Sequence, residues 1–500
     1  MADPGGQGKK ENDGRKNRRM IQESYYGRRI RAVWQIWLWS AILALLCTMI
    51  TYPGIWYSDS YVRVETGKAV LNRIVKTLIG QRARLDTGNA FTIIPSFFMA
   101  LSLGITGHVV LYTFTQAFAF FAATFLLIRE LNEENRKLQY VLFACCPLIY
   151  GMSVYYEAGI GCAVGMAGLI LLLRRTGEPR GRGARVLEFL LVVFFSFVTT
   201  GYRTNALTIL PVLAFYLFRM KAERIRKVMM LAALILGILL TKAVPWVFDI
   251  HSDSVTSAGF IWEMLTAIQR MPPEDQEKYQ DYLDDIGGEG STLGALAESN
   301  EITAESFLWG SNLGISQMSR PGATAKALMK YFRLMIEKPR EWFSVRWEML
   351  LRALGITEKL GNSEYNYDRW ERMREYGMID SPQRRAFHTS YLKTCTALGE
   401  FILRPWVLFL LSFLLSAVEF FRNHETREKN SFVLGIAFFY YLAYLLDIPY
   451  FEFRYYYPSL YLMLILDVSI LISWGSAVLK QGRKYPNEWR GRNIIHQEKN

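Results

Sequence analysis

The sequence predicts an all-α polytopic membrane protein with about ten transmembrane helices, one half-embedded helix and a large, mostly helical extracytoplasmic loop. Of its 500 residues, 51% are hydrophobic while 21% are charged, a mixture typical of apolar spans joined by charged loops. Several windows reach the roughly 20 apolar residues that cross a bilayer. The clearest are AVWQIWLWSAILALLCTMIT, VMMLAALILGILLTKAVPWVF and YPSLYLMLILDVSILISWGSAVL.

The net charge of +13 is best explained by membrane orientation, because Lys and Arg accumulate in the cytoplasmic loops beside membrane spans. A nucleic-acid-binding protein would carry a soluble basic face with interleaved aromatic residues, which the sequence does not show. We therefore expect the lipid bilayer as a partner and no nucleic acid. The cysteines have no metal-ligand spacing and the histidines are scattered along the chain, which disfavours a Cys or His metal site.

Residues 1–32 are expected to form a cytoplasmic basic tail, because they include GRKNRRMIQESYYGRRIR. The span that follows has no small-residue cleavage site, so we expect a retained helix rather than a removed signal peptide. This span opens an N-terminal transmembrane module, 33–248, with a first outer loop at 53–88. Segment 89–104 is apolar but short and contains Pro95, so we predict a half-embedded or surface helix there.

The crossings follow from apolar runs that alternate with basic loops. Counting 89–104 as a full crossing would place RRTGEPRGRGAR and RMKAERIRK outside, against the positive-inside rule. We therefore predict ten crossings, with both termini in the cytoplasm of a bacterial cell. They lie at about 33–52, 108–128, 139–156, 158–173, 187–202, 206–218, 228–248, 405–421, 431–448 and 458–477.

The hydrophilic stretch 249–403 follows an outward crossing, so we predict that it forms an extracytoplasmic loop region. Its segment ATAKALMKYFRLMIEKPREWFSVRWEMLLRALGI is typical of two amphipathic helices separated at Pro339, since Pro kinks or breaks a helix interior. The aromatic face of this segment is expected to pack on the bundle, or alternatively to lie at the membrane interface. C-terminal transmembrane helices then occupy 404–477, and a cytoplasmic basic tail occupies 478–500.

Four predicted outer turns each carry an ionisable residue beside tyrosine. Asp59 follows the first span, Glu157 and Arg203 each lie between two spans, and Glu452 and Arg454 precede the last span. Ionisable groups at the ends of spans are costly unless they are paired or hydrated, so they mark a functional site by default. The alternative is an arginine that snorkels to the interface beside an aromatic belt. Their shared face favours the functional interpretation.

Carboxylates and guanidiniums gathered at one membrane face suit a phosphate-bearing lipid substrate. Arginine binds phosphate oxygens bidentately and stays charged in a partly dry site. A carboxylate can take a proton from an attacking hydroxyl, or hold a divalent cation that neutralises a diphosphate leaving group.

This arrangement resembles the GT-C glycosyltransferases, multi-spanning enzymes that use lipid-phosphate-linked sugars. More narrowly, it resembles an uncharacterised bacterial family of GT-C-like multi-spanning proteins. The similarity is spread over roughly 33–477 and is carried by YPGIWYSDSY, YRTNALTILPVL, YFRLMIEKPREWFSVRWEMLLRALG and FEFRYYYPSLYLMLIL.

The resemblance implies that Asp59 and Glu157 are catalytic carboxylates that could share a divalent cation, Mg²⁺ or Mn²⁺. There are two departures from the superfamily pattern: the second outer loop has one acid where many members have a pair, and NAFTIIP stands where His-Pro is expected. The missing acid leaves metal dependence open. Contacts to the phosphate or the substrate are implied for Arg203, Arg454, Glu452 and Tyr202.

The function we expect is an integral glycosyltransferase of the bacterial plasma membrane. It would transfer a sugar from a polyprenyl-phosphate-linked donor to a cell-envelope acceptor on the extracytoplasmic face, with inversion at the anomeric carbon. One alternative is a polymerase or ligase of lipid-linked oligosaccharides. Another is a transporter or flippase of lipid-linked glycans, although transporters usually carry midplane charges and internal repeats, and no repeat is evident. A GT-C scaffold without activity is a further alternative.

Overall fold

The structure is a computed structural model that describes residues 31–52, 58–81, 84–87, 92–132, 136–153, 157–178, 181–251, 258–279, 323–361, 381–447 and 451–484. Most of the two predicted tails lies outside these residues. The side chains of Asp59 and Glu157 also lie outside the description, although their backbones are placed in helices.

The described chain is almost entirely helical. The N-terminal module has α1 (Arg31–Thr51), α2 (Ser58–Leu78), α3 (Ile93–Thr106), α4 (Val110–Leu131), α5 (Arg136–Ser153), α6 (Glu157–Arg174), α7 (Arg182–Tyr202), α8 (Leu210–Arg219) and α9 (Arg224–Val247). The following region has α10 (Ala258–Gln269), α11 (Pro273–Gln276), α12 (Ala323–Glu337), α13 (Pro339–Ala353) and α14 (Pro382–Leu398). The last helices are α15 (Pro405–Arg422), α16 (His424–Leu446) and α17 (Phe453–Lys484). Short 3-10 segments occupy Thr204–Ile209, Glu277–Tyr279 and Glu400–Leu403, and two strands are β1 (Leu85–Asp86) and β2 (Ile250–His251).

Seven of the described helices are long and apolar enough to cross a membrane. This makes the chain an all-α, multi-pass membrane protein. The other three predicted crossings coincide with α5, with the shorter apolar helix Ala158–Arg174 and with the shorter apolar stretch Thr204–Arg219, so the count of ten stays a prediction. The seven are Arg31–Thr51, Val110–Leu131, Arg182–Tyr202, Arg224–Val247, Pro405–Arg422, Thr426–Leu446 and Phe453–Val478.

Helix α3 corresponds to the predicted half-embedded segment. It has 14 residues, about 21 Å at 1.5 Å per residue, which is shorter than the roughly 30 Å hydrocarbon core of a bilayer. The helix ends at Gly107, whose φ of 69° is a left-handed conformation that glycine adopts without strain. Its length agrees with a helix that does not cross by itself.

The first outer loop contains a long helix, α2, which the apolar pattern of the sequence does not reveal. Val64 and Val70 on this helix are fully buried. At Gly67 the helix touches α3 so closely that an added Cβ would overlap the carbonyl group of Ser96. Helix α2 therefore packs along α3 rather than projecting into solvent.

Hydrogen bonds gather the predicted outer loops at one end of the bundle. Strand β1 of the first loop pairs in parallel with β2, which directly follows α9. Arg73 of α2 donates from Nε to the carbonyl oxygen of Phe248 at 3.0 Å. Arg384 of α14 donates to the carbonyl oxygen of Tyr52, just after α1. The ends of α1, α2 and α9 and the start of α14 thus lie together.

The turn between α16 and α17 joins the same end through the outer region. The N–H of Gly361 donates to the carbonyl oxygen of Phe451 at 2.8 Å, and the N–H of Phe453 donates to the carbonyl oxygen of Gly361 at 2.8 Å. Arg346 of α13 donates from Nη2 to the carbonyl oxygen of Leu446 at 3.2 Å. Helices α12 and α13 are consistent with the two predicted amphipathic helices, and Pro339 is the first residue of α13.

The opposite end of the bundle is held by ion pairs between the predicted inner loops. Arg175 Nη2 lies 2.7 Å from Glu130 Oε2 at the end of α4. Arg226 Nη2 of α9 lies 2.7 Å from Glu188 Oε2 of α7. The charged residues of the predicted outer loops thus lie at one end of the bundle, and those of the predicted inner loops lie at the other. Which membrane side each end faces stays a prediction.

Helix α6 lies at the centre of the N-terminal module because its glycines admit close neighbours. Small residues let transmembrane backbones approach one another. A Cβ added at Gly161 would overlap the ring of Tyr202 in α7. A Cβ added at Gly159 would lie 3.5 Å from the carbonyl oxygen of Arg454 in α17. The first turn of α6 therefore packs tightly on α7 at Gly161 and is in ordinary van der Waals contact with the start of α17 at Gly159.

We predict that Gly161→Ala destabilises the protein by roughly 1–3 kcal/mol, the usual cost of adding volume to a packed core. The ring of Tyr202 must move to admit the methyl group. The thermal unfolding midpoint in detergent measures the effect. Gly183→Ala is the matched control, since nothing lies within 4 Å of its added Cβ. Equal midpoints for the two variants would contradict the packing of α6 on α7.

Candidate functional site

Arg203 stands where α7 ends. Its backbone is extended, with φ of −142° and ψ of 111°, and a 3-10 segment begins at the next residue. Its N–H still donates to the carbonyl oxygen of Thr199, at 3.2 Å. The guanidinium carbon lies 5.1 Å from the ring centre of Tyr455 in α17. The side chain therefore reaches across the bundle end from α7 to α17.

Arg454 approaches the same aromatic ring from its own helix. Its guanidinium carbon also lies 5.1 Å from the ring centre of Tyr455. Arg454 Nε lies 2.6 Å from Glu452 Oε2, and these side chains are only 13% and 15% exposed. The two guanidinium carbons, of Arg203 and Arg454, are thus at most twice 5.1 Å apart. We call Arg203, Glu452, Arg454 and Tyr455 the outer cluster.

The outer cluster carries an excess of positive charge. Two guanidiniums about 10 Å apart repel each other by roughly 1.7 kcal/mol at an effective dielectric constant of about 20, and by more when closer. Glu452 offsets one of them, and the face of Tyr455 attracts both. The Nε of Arg203 is buried and has no hydrogen-bond partner among the described residues. The cluster is therefore suited to an anion.

Tyrosine hydroxyls of α16 border Arg203. Tyr440 and Tyr444 are both buried, and their hydroxyl oxygens are 3.4 Å apart. The ring of Tyr444 lies 5.7 Å from that of Tyr455. Both hydroxyls interact electrostatically with the Arg203 guanidinium. These tyrosines form a buried wall of hydroxyl groups and aromatic rings beside the Arg203 guanidinium.

Tyr202 makes its side-chain contacts elsewhere. It is 6% exposed, and its ring covers Gly161 of α6. Its hydroxyl lies 3.4 Å from that of Tyr112 in α4, and Gln116 donates to Tyr112 at 3.2 Å. These contacts join α4, α6 and α7 and place Tyr202 in the packing beneath the outer cluster.

The backbones of the two predicted catalytic acids lie at this end of the bundle. Glu157 is the first residue of α6, two residues before Gly159, which packs beside Arg454. Two residues extend at most about 7 Å. Asp59 is the second residue of α2, and Arg63 one turn later donates to the carbonyl oxygen of Thr92 at 3.4 Å. Where the two carboxylates point lies outside the described residues.

The residues that are described do not supply a cation site. Glu452, the carboxylate of the outer cluster, is already paired with Arg454. Within the described ranges, no group of three or more His, Cys, Asp or Glu could hold a metal ion. Binding of Mg²⁺ or Mn²⁺ by Asp59 and Glu157 accordingly stays a prediction of the sequence.

A second charged cluster lies beside the turn between α16 and α17, and the sequence alone does not predict it. Glu263 of α10 is 1% exposed. It accepts hydrogen bonds from Arg346 Nη1 at 2.8 Å and from the hydroxyl of Tyr331 at 3.0 Å. Trp342 Nε1 donates to that same hydroxyl at 2.8 Å. The aromatic residues Tyr331 and Trp342 thus pack on the bundle side and complete a buried network.

Asp447 adds a second carboxyl group to this network. Burial raises its pKa to about 7, although Arg346 and the backbone N–H groups at the start of α10 oppose the rise. Burial likewise raises the pKa of Glu263, against the effect of Arg346. Asp447 Oδ1 is buried without a hydrogen-bond partner among the described residues. A carboxyl group that titrates near neutral pH is suited to exchange a proton at working pH.

Asp447 directly follows the apolar run of α16 and begins DIPYFEFR, the turn that also carries Glu452 and Arg454. The same reasoning that singles out Asp59, an acid at the end of a span, applies to Asp447. The sequence therefore contained a signal for Asp447, namely an acid directly after an apolar run. Glu263 and Arg346 gave no such signal, because only the tertiary fold places them beside the turn.

Comparisons of this chain with protein-family models, with curated proteins and with solved structures give no match. The likeness to the GT-C glycosyltransferases therefore stays a prediction of the sequence motifs. The fold defines a class, an all-α multi-pass membrane protein, and the charged clusters at one end of its bundle are the basis for a functional proposal.

We predict that Asp447→Asn flattens the pH dependence of stability. A folded-state pKa of about 7, raised from the ordinary value of about 3.9, means that the folded protein holds this proton more tightly. The contribution of Asp447 to stability is then fully present below about pH 4 and is lost as the pH rises through 7. Three pKa units correspond to at most about 4 kcal/mol, and unfolding midpoints from pH 4.5 to 7.5 measure the slope.

Asp86→Asn is the control, since this residue of β1 is an exposed carboxylate at the same end of the bundle. Some slope should remain in Asp447→Asn, because the raised pKa of Glu263 acts in the same direction. A pH profile for Asp447→Asn that runs parallel to the wild-type profile would contradict the assignment.

Proposed function

We propose that this protein is an integral membrane glycosyltransferase that transfers a sugar from a polyprenyl-phosphate-linked donor to a cell-envelope acceptor on the extracytoplasmic face. One observation carries the proposal. Arg203 and Arg454 both face the ring of Tyr455 at 5.1 Å, with Glu452 paired to Arg454. Two clustered guanidiniums at the end of a transmembrane bundle suit the phosphate of a lipid-linked donor.

The outer cluster has a defined part in such a reaction. The acceptor hydroxyl oxygen forms a bond to the anomeric carbon while the bond from that carbon to the phosphate oxygen breaks. Negative charge then develops on the departing polyprenyl phosphate, and the guanidiniums of Arg203 and Arg454 stabilise it. Glu452 fixes the orientation of Arg454 through its ion pair. Attack opposite the leaving phosphate inverts the anomeric carbon.

The proton of the acceptor hydroxyl needs a base on the other side of the sugar. We assign this role to Asp59, at the start of α2, and a supporting role to Glu157, at the start of α6. Both helices begin at the end of the bundle where the outer cluster lies. A positioned base contributes about 10²–10⁴-fold to the rate of such a step.

The transfer reaction in proteoliposomes tests these roles. With polyprenyl-phosphate-linked sugars as donors and mass spectrometry of the products, Asp59→Asn and Glu157→Gln should lose transfer by about 10²-fold or more. Their expression and unfolding midpoints should match wild type. Arg84→Gln is the control for this end of the bundle, because Arg84 is exposed and, among the described residues, pairs with its near neighbour Asp86. Full activity in both acid variants would refute the mechanism.

The polymerase or ligase of lipid-linked oligosaccharides is the related enzyme alternative, and it is favoured by the fact that the described cluster holds more guanidiniums than carboxylates. In that case Arg203→Gln would abolish the reaction while Asp59→Asn would leave most of it. The glycosyltransferase proposal expects the reverse order, with Asp59→Asn as the more damaging variant.

The transporter alternative is favoured by a buried carboxyl group within a membrane-spanning helix. Asp467 lies within α17 at 1% exposure, and Ser412 of α15 donates to its Oδ2 at 2.9 Å. Intramembrane carboxyl groups often belong to transport pathways. We expect Asp467→Asn to keep sugar transfer, and the wild type to leave the transbilayer distribution of a labelled lipid-linked glycan unchanged. Movement of that glycan without covalent change, lost in Asp467→Asn, would establish the transporter instead.

A further inference from the structure

A cavity of about 420 Å³ lies at the end of the bundle opposite the outer cluster. It is formed where the loop between α6 and α7 meets the loop between α8 and α9. The cavity is open to solvent, and cationic side chains outnumber the single carboxylate in its lining. Its lining residues are Gly177, Arg185, Lys221, Ala222, Glu223 and Arg226.

The buried wall of this cavity is Arg226. It is 7% exposed, and it is held by Glu188 Oε2 at 2.7 Å and by the carbonyl oxygen of Glu178 at 2.5 Å. The Nε of Arg226 is buried and has no hydrogen-bond partner among the described residues. The ion pair with Glu188 fixes the guanidinium in place and leaves Arg185 and Lys221 as the exposed cations of the lining.

Two helices also begin at this cavity. Helix α7 starts after Gly181 and helix α9 starts after Glu223, and neither start has a side-chain hydrogen bond that caps its N–H groups. The N-terminal end of a helix carries a partial positive charge and favours anions. The two helix starts therefore add to the positive potential that Arg185, Lys221 and Arg226 create.

The outer surfaces of the same elements are apolar. Val186 follows Arg185 on α7, Ile225 precedes Arg226 on α9, and Phe218 lies near the end of α8. Their side chains are 52%, 68% and 66% exposed, respectively. In a multi-pass protein, such residues face acyl chains. The cavity thus lies at the level where a lipid places its headgroup.

We propose that this cavity binds a phosphate group, supplied by the headgroup of an anionic phospholipid. Basic pockets between transmembrane helices bind such headgroups. The phosphate is held by Arg185 and Lys221 at the mouth of the cavity, with Arg226 behind them, while the acyl chains follow the apolar surfaces of α8 and α9. The site is separate from the outer cluster and does not depend on the proposed transfer reaction.

Native mass spectrometry of the delipidated full-length protein tests this site. The protein is titrated with phosphatidylglycerol or with phosphatidylcholine, and bound lipids are counted. Wild type should retain phosphatidylglycerol at least tenfold more strongly than phosphatidylcholine. The double variant Arg185→Gln/Lys221→Gln should lose that preference and still fold, because both side chains are exposed.

The matched control is Arg219→Gln/Arg224→Gln. It removes the same charge from the same end of the bundle but changes no lining residue. Its lipid preference should equal that of wild type. Equal loss in both double variants, or equal retention in both, would overturn the proposal. A third arm adds inorganic phosphate alone: saturable binding that needs Arg185 and Lys221, without any lipid preference, would keep the phosphate site and overturn its assignment to a lipid.

Discussion

The close approach of α6 to α7 and α17 is the constraint on which the outer cluster depends. Gly161 accepts the ring of Tyr202, and Gly159 lies beside the backbone of Arg454. Because α6 has no side chain at Gly161, the end of α7 packs directly on it, while Gly159 is in ordinary van der Waals contact with α17. Arg203 and Arg454 then come near enough to face one tyrosine ring, so the position of the charged cluster depends on this helix packing.

Charge is balanced differently in two parts of the bundle. At the inner end, Glu130 and Glu188 are paired with Arg175 and Arg226 at 2.7 Å, and these pairs hold loops and helices together. Within the outer cluster, Arg454 is paired with Glu452, whereas Arg203 adds a second guanidinium. A buried arrangement with excess like charge is costly unless an anion is bound. This local excess is the reason for proposing substrate binding at the outer cluster.

Much of the fold follows from the sequence, because hydropathy and the distribution of Lys and Arg are local signals. Seven spans, the short helix α3 and the shared face of Arg203, Glu452 and Arg454 could be predicted in this way. Helix α2 could not, since its buried residues, among them Val64 and Val70, are interspersed with charged ones. The network of Glu263 and Arg346 with Asp447 was also missed, because it joins segments that are 83 and 101 positions apart along the chain. Tyr202, for which the resemblance implies a substrate contact, packs between α4, α6 and α7, and that role stays a prediction.

We propose that the outer cluster binds the phosphate of a lipid-linked donor, and a cryo-electron microscopy structure of a bound analogue would show whether it does. The protein would be reconstituted in nanodiscs with a non-hydrolysable polyprenyl-phosphonate sugar. We expect density for the phosphonate oxygens within hydrogen-bond distance of the Arg203 and Arg454 guanidiniums, with the sugar beside Tyr455. Density for the bound analogue that contacts neither arginine would contradict it.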